Sequence, residues 1–513
     1  MHRKTTVRHS GRSALFFLWR AVILILLLLQ IAAFVYILSA GTRLSLLTGY
    51  ALRLLSWLTA LWIVSGKDEP GYKLLWMFLL LLTPLFGGVF YLLLRLQSRT
   101  GRFVRKRRVQ EERIAPFLRL CAAAPENAAF PDGMRRPLAF LEKAGFFPCA
   151  ATRVRYLSSG EEAYAALLAA IGQARRYIFL EYFIVEEGDV WERVHALLRE
   201  KAAGGVDVRL LMDDGGCFFL RPRRALDELR SEGIACRVSN PFRPILSARQ
   251  NYRDHRKIAV IDGEIALTGG VNLGDAYVNR AAVHGHWKDS AVCLRGRGAY
   301  AMGLHFLTMW NAAPPARENY ARLFPATPAG EGEGIAVPFV GGPDDKVPLC
   351  ATLSRMLASG ARRSLYITTP YLIPDERMAE ALCLAARGGV DVRILTPYQG
   401  DRAFVHATTR SFYAPLMEAG VRICEYTPGF IHAKSMVVDG RYAVVGSANL
   451  DYRSLHLNYE CGVLFSAPDA VHALQADFLS TEKKSRAVIP RGPSRRPLTR
   501  LARQVLRLLS PLM

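Results

Sequence analysis

The apolar positions of the chain form long uninterrupted runs in the first hundred residues and short runs after residue 150. Ala21 to Thr42 and Leu74 to Leu94 contain no charged residue, and Leu44 to Ser65 is apolar apart from Arg53. At about 1.5 Å per helical residue, a run of about 20 residues spans the roughly 30 Å hydrocarbon layer of a bilayer. The pattern therefore predicts a membrane anchor of two or three hydrophobic segments over residues 1–96. Arg53 counts against the middle segment, because inserting a mid-span arginine costs at least ~2.5 kcal/mol.

Basic residues flank both ends of this apolar region. Seven of the fourteen residues from Arg95 to Arg108 are basic, and five more basic residues lie within residues 3–20. Basic flanks favour the cytoplasmic side, so we expect two true crossings and a cytoplasmic globular part. The Arg53 segment would then lie in the interface or re-enter; the alternative is that one basic flank is outside. A cleaved signal peptide is disfavoured because its apolar core is roughly 7–15 residues long, shorter than the first run.

After residue 150, short strand-like runs alternate with helix-like stretches. A strand, a helix and a second strand follow one another twice. In the first half they are Tyr177 to Val185, Val190 to Ala203 and Val208 to Met212, and in the second half they are Ser364 to Thr369, Glu376 to Arg387 and Val392 to Leu395. This order predicts a right-handed crossover and a largely parallel sheet, hence an α/β fold in two similar halves.

The two halves also share sequence. GGVDVR at residues 204–209 recurs at residues 388–393, and RDHRKIAVIDGEIALTGGVN at residues 253–272 matches FIHAKSMVVDGRYAVVGSAN at residues 430–449. Five residues of the second copy lie 177 positions after identical residues of the first: His255 and His432, Lys257 and Lys434, Asp262 and Asp439, Gly269 and Gly446, Asn272 and Asn449. Such matching spacing indicates an internal duplication. We expect an anchor at 1–96, a basic juxtamembrane linker at 97–150, duplicated domains at 151–340 and 345–482, and a basic amphipathic tail at 483–513.

Each copy has the pattern of a β-hairpin. Strand alternation puts its histidine and lysine on one face, and the Asp-Gly pair that follows marks a two-residue turn. One such hairpin would usually be plain structure. If the halves pack about a pseudo-twofold axis, however, the two copies bring together two histidines, two lysines and two asparagines.

This set of residues suits phosphodiester chemistry. Two lysines neutralise a phosphate and stabilise charge developing on its oxygens, and two asparagine amides donate further hydrogen bonds. One imidazole can attack phosphorus while the other protonates the leaving oxygen and later deprotonates the acceptor. A covalent step permits group transfer as well as hydrolysis and needs no metal. His284 and His286 in HGHW are metal-ligating types, for which a structural or surface role is expected.

The charge composition indicates an anionic partner but does not say which kind. Lys and Arg outnumber Asp and Glu by 67 to 44, a net charge of +23 that attracts nucleic acid or anionic lipid. The nine cysteines are scattered without a C-x-x-C pair, which favours reduced thiols over a disulfide framework or a zinc site.

With both copies complete, the H-x-K-x4-D-x6-G-[GS]-x-N pattern resembles the phospholipase D superfamily. The flanking segments EYFIVEEGDVW, GSANLDYRSLHLNYE, DEPGYKLLWMFLLLLTPLFGGVFYLLL, the IPDERM segment and the terminal LLSPLM are similar to the bacterial cardiolipin synthase branch. The resemblance runs from about Leu44 to Met513. The copies differ where Gly270 is replaced by Ser447, a pair that is common in that branch.

The resemblance implies duplicated phospholipase D-like domains in a bacterial cell membrane. The implied reaction transfers phosphatidyl between two phosphatidylglycerol molecules through a phosphatidyl-histidine, giving cardiolipin and glycerol without cofactor or metal. The implied catalytic residues are His255, Lys257, Asp262, His432, Lys434 and Asp439. Asn272 and Asn449 would bind phosphate. In the superfamily an acid on a neighbouring strand orients each histidine, and by position these acids are Asp289 and Glu460. Other members often use the N-terminal histidine as the nucleophile, which favours His255.

The tail adds an expected contact with lipid. Leu498, Leu501, Val505 and Leu508 recur at helical spacing opposite arginines, and no acid occurs from Lys483 to Met513. Such a helix often lies on an anionic membrane surface, although docking on its own domain is equally consistent with the pattern. Water or another alcohol as acceptor would make the protein a phospholipid hydrolase or a different phosphatidyltransferase. Membrane anchoring disfavours a nuclease and a nucleic-acid partner, and the intact motifs disfavour a non-catalytic scaffold.

Overall fold

The computed structural model describes residues 42–512 and positions 32 and 35, apart from residues 67, 84–86, 99–100, 123–129, 218–222, 242–250, 313–317, 325–328 and 490–496. The chain forms two compact units, Met1–Leu96 and Gln97–Met513. The predicted span Ala21 to Thr42 lies almost entirely outside the described residues.

The described part of the first unit is helical. Its helices are α1 (Arg43–Ser65), α2 (Pro70–Leu82) and α3 (Gly87–Ser98). Among the described residues, α1 alone is long and apolar enough to cross a membrane, over Leu46–Ser65. Most of its large apolar side chains are exposed, such as Trp57 at 67%, whereas Ile63 is buried at 2%. Within the described part of the chain, the helix that is long and apolar enough to span is therefore the one that contains Arg53, the segment that the charge had made least favourable.

The predicted span Leu74 to Leu94 is wrong as a single helix, because α2 ends at Leu82 and α3 begins at Gly87. Thr83, which precedes Pro84 in the sequence, has a non-helical backbone with φ −131° and ψ 63°, as expected because the helical conformation is disfavoured before proline. The expectation of two or three membrane helices is thus supported only in part.

The second unit contains two mixed sheets, each built mainly from one repeat; β9, at the predicted boundary between the repeats, belongs to the second sheet. The first sheet has the order β1 (Thr152–Leu157), β8 (Ala291–Gly296), β6 (Ile265–Gly269), β5 (Lys257–Ile261), β2 (Tyr177–Tyr182), β3 (Asp207–Asp213) and β4 (Ala235–Ser239). The second has the order β19 (Ser485–Ala487), β13 (Arg422–Tyr426), β12 (Asp391–Pro397), β10 (Ser364–Thr368), β15 (Ser435–Val438), β16 (Tyr442–Gly446), β18 (Glu460–Ser466) and β9 (Ile335–Gly341). The predicted duplicated α/β fold is confirmed.

The expectation of a largely parallel sheet is corrected by the pairing. Within the two sheets, only the pairs of β2–β3–β4 and β10–β12–β13 are parallel; the predicted crossovers join β2 to β3 and β10 to β12. The motif hairpin of each half, β5–β6 or β15–β16, adds to the same sheet antiparallel to its neighbours. Two short ribbons complete the strands: β11 (Leu372–Ile373) pairs with β17 (Leu450–Asp451), and β7 (His286–Lys288) pairs with β14 (Gly429–Ile431).

Helices cover the outer faces of both sheets and fill the space between them. In chain order they are α4 (Gly101–Cys121), α5 (Arg135–Lys143), α6 (Gly160–Gln173), α7 (Asp189–Ala203), α8 (Asp214–Cys217), α9 (Arg223–Ser231), α10 (Arg297–Trp310), α11 (Tyr320–Leu323), α12 (Leu349–Gly360), α13 (Glu376–Arg387), α14 (Ala403–Ser411), α15 (Tyr413–Glu418), α16 (Tyr452–His456), α17 (Pro468–Lys483) and α18 (Pro497–Leu508). One apolar core joins the two halves and includes α10, which is buried from Gly298 to Trp310. Separate cores lie between each sheet and its own outer helices. The halves therefore form one body with the motif hairpins facing its interior.

The hairpin turns are equivalent in the two halves. Asp262 and Asp439 both have φ +55°, and the glycines after them have φ +71° and +65°. Two successive positive φ values are typical of a type I′ turn, whose twist matches that of the flanking strands. Aspartate and glycine tolerate positive φ, which explains the Asp-Gly pair in each copy.

Candidate active site

The two motif histidines lie where the halves meet. His255 lies two residues before β5, and its backbone N–H donates to the Tyr459 carbonyl at 2.9 Å. His432 occupies the equivalent place before β15, and its N–H donates to the Lys288 carbonyl at 2.7 Å. Each histidine backbone is thus tied to the residue before the acid of the opposite half. The same contact made twice shows the pseudo-twofold relation that the sequence anticipated.

The orienting carboxylates cross between the halves. His255 Nδ1 lies 3.0 Å from Oε2 of Glu460, and His432 Nδ1 lies 2.7 Å from Oδ2 of Asp289. Both carboxylates are fully buried, at 0% exposure. Each acid fixes the proton of its histidine on Nδ1 and leaves Nε2 free for chemistry. The sequence indicated these two acids by position, but it did not predict that each one serves the histidine of the other half.

The two lysines bring buried positive charge to the same place. Lys257 Nζ donates to the His255 carbonyl at 2.5 Å, and Lys434 Nζ donates to the His432 carbonyl. Burial lowers the pKa of Lys257 to about 8 and, together with the charge of Lys257, lowers the pKa of Lys434 to about 7. A bound anion would restore both charges, so the lysines are arranged to respond to a phosphate.

The imidazoles are held in the neutral form. Burial lowers the pKa of His255 against the opposing effect of Glu460, and burial and Lys434 lower the pKa of His432 to about 3. Glu460 stays ionised, because His255 and Lys257 outweigh its burial and bring its pKa to about 2. A neutral imidazole with a carboxylate on Nδ1 is the form that a nucleophile or a general base requires.

The structure does not bring Asp262 and Asp439 to the histidines. The Asp262 carboxylate accepts hydrogen bonds from the backbone N–H groups of residues 175–177, each at 2.8 Å. Asp439 does the same for residues 362–364 at 2.7–3.1 Å. A strand rises about 3.4 Å per residue, so the five residues from Lys257 to Asp262 span about 17 Å. Each aspartate therefore holds its hairpin turn against the start of the neighbouring strand in the sheet, β2 in the first half and β10 in the second.

The two asparagines lie in the site with different partners. Asn272 Oδ1 accepts from the Ile184 N–H at 3.1 Å, and Asn272 also lines a cavity of about 30 Å³ beside Lys257. Asn449 Nδ2 donates to Oδ2 of Asp451 at 2.9 Å. Both residues are buried. Each keeps capacity for a further hydrogen bond to a ligand.

The Gly270/Ser447 difference has a structural reason. A β-carbon at Gly270 would lie 2.1 Å from Asp289 Oδ1, so the shorter acid fits only beside glycine. At the equivalent place the Ser447 hydroxyl donates to Glu460, which also accepts from Asn458 Nδ2 at 3.2 Å. Glu460 is therefore held by more donors than Asp289.

Aromatic rings around the histidines were not anticipated. Phe183 lies 5.0 Å from the His255 ring, and Trp287, Tyr277 and Phe430 lie 5.2, 5.5 and 6.1 Å from the His432 ring. They limit water around the imidazoles. No motif marks them, because three of the four come from short ribbons or turns whose position depends on the contact between halves.

The first half also contains a buried cluster of ion pairs next to His255. Arg256 is 2% exposed and pairs with Asp254 at 2.9 Å and with Glu181 at 2.5 Å. Elsewhere in the same unit, His456 Nε2 lies 2.8 Å from Oδ2 of Asp375, a pair of metal-ligating types outside the histidine site.

Two mixed α/β domains that share one pair of histidine–lysine hairpins define the phospholipase D class. Comparison with known proteins agrees. Residues 167–282 and 354–481 match a family model described as cardiolipin synthase, phospholipase D-like domain, and residues 54–95 match the phospholipase D-nuclease N-terminal model. A solved phosphatidylserine synthase of Haemophilus influenzae superposes with a TM-score of 0.54 at 13% identity, covering 70% of this chain and 95% of its own. That likeness shows the fold.

Curated relatives narrow the class. The cardiolipin synthase of Geobacillus sp. (strain WCH70) is 35% identical over 498 residues, 95% of this chain and 99% of that protein. The cardiolipin synthase of Geobacillus kaustophilus is also 35% identical, over 88% of this chain and 91% of its own. The chain belongs to the cardiolipin synthase family.

Proposed function

We propose that this protein is a cardiolipin synthase, which transfers phosphatidyl from one phosphatidylglycerol to another and releases glycerol. The observation that carries the proposal is the pair of crossed carboxylate–histidine contacts, together with two buried lysines whose charges act on both histidines. Family membership supplies the lipid class. The geometry supplies a nucleophile, a proton carrier and a phosphate-binding charge.

In the first step, His255 Nε2 attacks phosphorus and the bond to the glycerol oxygen breaks. Glu460 stabilises the positive charge that develops on the imidazole, and its support from Ser447 and Asn458 favours His255 as nucleophile. Lys257 and Lys434 stabilise the phosphoryl oxygens, and Asn272 and Asn449 donate further hydrogen bonds. The negative charge of the bound phosphodiester raises the pKa of His432, so that its Nε2 takes up a proton from solvent when the substrate binds, and His432 then gives this proton to the leaving glycerol oxygen.

In the second step, the headgroup hydroxyl of another phosphatidylglycerol takes the place of glycerol. Neutral His432 removes its proton, its oxygen attacks phosphorus, and the bond to His255 breaks. Cardiolipin leaves, and both histidines return to their starting states. Asp289 and Glu460 act as positioning residues, and Asp262 and Asp439 secure the hairpins.

The test is incubation of purified full-length protein with phosphatidylglycerol in detergent micelles, without nucleotide. Equal amounts of cardiolipin and glycerol are expected, whereas phosphatidic acid as main product would make the protein a hydrolase. Glu460→Gln should lower kcat by about 10³- to 10⁴-fold, as loss of a histidine-orienting carboxylate does in other enzymes. Near-normal turnover of this variant would contradict the mechanism.

We also propose that the chain is a multi-pass protein of the bacterial cell membrane with its catalytic unit in the cytoplasm. The basic flanks and α1 support this arrangement. Protease added outside sealed inverted vesicles should cleave after Arg108, and protection there would place the catalytic unit on the other side.

A further inference from the structure

Helix α18 presents its apolar side chains to solvent. Leu498, Leu501 and Val505 lie on one side of the helix and are 78%, 60% and 43% exposed. On the other side of the helix, Arg507 meets the protein: its Nε donates to the Ser411 carbonyl at 3.1 Å and its guanidinium lies 5.3 Å from the centre of the Phe412 ring, whereas Arg503 is exposed. A helix that docks on its own domain normally buries its apolar side. Leu498, Leu501 and Val505 therefore form an exposed hydrophobic surface for which a partner is expected.

This surface lies at the catalytic edge of the second sheet. Thr368 at the end of β10 pairs with Ser435, which directly follows Lys434. Strand β12 runs parallel to β10, so it ends at the same edge, and α14 begins six residues after its last residue. The first turn of α14 carries Phe404, which is 51% exposed. Because α14 packs against α18, the two helices place their exposed apolar residues near the edge that holds the lysine.

The end of the chain holds α18 in this orientation. Ser510 and Pro511, which follow the helix, are buried. Their short turn packs against α16, which begins three residues after Asn449. The helix is therefore fixed at its C-terminal end beside the site, while its first two turns project outward.

The charge of the tail selects the partner. From Lys483 to Met513 there are nine basic residues and no acid, so the apolar residues are set in a strongly positive segment. Apolar residues among positive charges match the interface of an anionic bilayer, where acyl chains lie below phosphates. We infer that Phe404, Leu498, Leu501 and Val505, the tail surface, insert into the anionic bilayer interface and hold the catalytic edge against the lipid phosphates. The inference deepens the proposed function and rests on it for the identity of the substrate.

An activity comparison tests the role of the tail surface. Full-length protein in nanodiscs of phosphatidylglycerol and phosphatidylethanolamine is compared with the same protein in lipid-free detergent acting on monomeric dihexanoyl phosphatidylglycerol. Leu498→Ser, Leu501→Ser and Val505→Ser combined should lower cardiolipin formation in the nanodiscs by about tenfold or more, because three apolar side chains lose their burial in lipid. The rate on the monomeric substrate should stay within about twofold. Loss of both rates, or of neither, would overturn the inference.

Leu384→Ser is the matched control. Leu384 is 60% exposed, but it lies near the end of α13, toward the edge where β12 begins at Asp391. This edge is opposite to the one that carries Lys434, so both rates should be unchanged. If Leu384→Ser lowered cardiolipin formation in nanodiscs as much as the triple variant does, the loss would not depend on where the exposed leucine lies, and the inference would be overturned.

Photocrosslinking identifies the partner independently of turnover. With benzoylphenylalanine at position 501 of the full-length protein in the same nanodiscs, the crosslinked product should carry lipid. Crosslinking only to protein, or no crosslink, would overturn the inference. If the wild type made no cardiolipin from either substrate while the lipid crosslink formed, the proposed function would fail and the membrane contact would stand.

Discussion

Replacing Gly270 with alanine tests whether the Asp289–His432 pair is as tightly set as its surroundings indicate. The new β-carbon would lie 2.1 Å from Asp289 Oδ1 and 3.0 Å from the His432 carbonyl oxygen. Real contacts of this kind begin near 3 Å, so the carboxylate must retreat by about 1 Å. Both oxygens of the Asp289 carboxylate already accept hydrogen bonds, from the Ser290 N–H at 2.8 Å and from His432 Nδ1 at 2.7 Å.

A retreat of about 1 Å lengthens the contact with His432 beyond hydrogen-bonding range. A hydrogen bond to a charged group contributes about 1.5–3 kcal/mol, which corresponds to about 10- to 150-fold in rate. Loss of the correct imidazole tautomer adds to this and can bring the total toward 10⁴-fold. We expect kcat for cardiolipin formation to fall at least tenfold.

Ser447→Ala is the matched control, because it changes the equivalent residue in the other half and keeps a β-carbon that already fits. It removes one hydroxyl donor from the ionised Glu460 but leaves the contacts of this carboxylate with His255 and Asn458, so a loss at the lower end of the range for charged groups, about 1.5 kcal/mol or about tenfold, is expected. Both variants are assayed with phosphatidylglycerol micelles, and thermal unfolding confirms that they are folded. Gly270→Ala within threefold of wild type, or Ser447→Ala as the more damaging change, would refute the reasoning.

Two further predictions follow from the site. Asp262→Ala and Asp439→Ala should each destabilise the fold by about 3 kcal/mol, because each aspartate accepts three backbone hydrogen bonds, yet the folded fraction should turn over within about threefold of wild type. Thermal unfolding and specific activity check this, and a large loss of kcat at unchanged stability would make the aspartates catalytic. The pH profile of kcat/KM should fall as pH rises through about 7 to 8, because the pKa of Lys434 is about 7 and that of Lys257 about 8, and their charges are present below those values. The fall on the acid side should lie below pH 6.5, since the pKa of His255 is lowered; initial rates from pH 5 to 9 that rose throughout would contradict this assignment.

Local pattern predicted the elements that build the site. The helix expected from Glu376 to Arg387 has those bounds, and the helix expected from Val190 begins one residue earlier at Asp189. Periodicity and turn residues are local properties of the sequence. Because the same pattern occurs in both repeats, each repeat supported the prediction made for the other. The hairpins and their Asp-Gly turns were predictable for the same reason.

Contacts between distant segments were not predictable from a single sequence. The sheets are mixed because each motif hairpin adds beside a crossover strand, a choice that depends on packing rather than on periodicity. The crossing of Asp289 to His432 depends on how the halves dock. The break within Leu74 to Leu94 follows directly from a local feature, since the helix α2 ends at Leu82, two residues before Pro84 in the sequence.

Duplication of a gene segment normally frees one copy to change while the other keeps its role. The crossed carboxylates remove that freedom here. A loss in either half disables a histidine in the other, so purifying selection must act on both repeats together. A half expressed alone would carry a histidine without its acid and an acid without its histidine, so it would need the other half, or a second copy of itself, to complete the pairs.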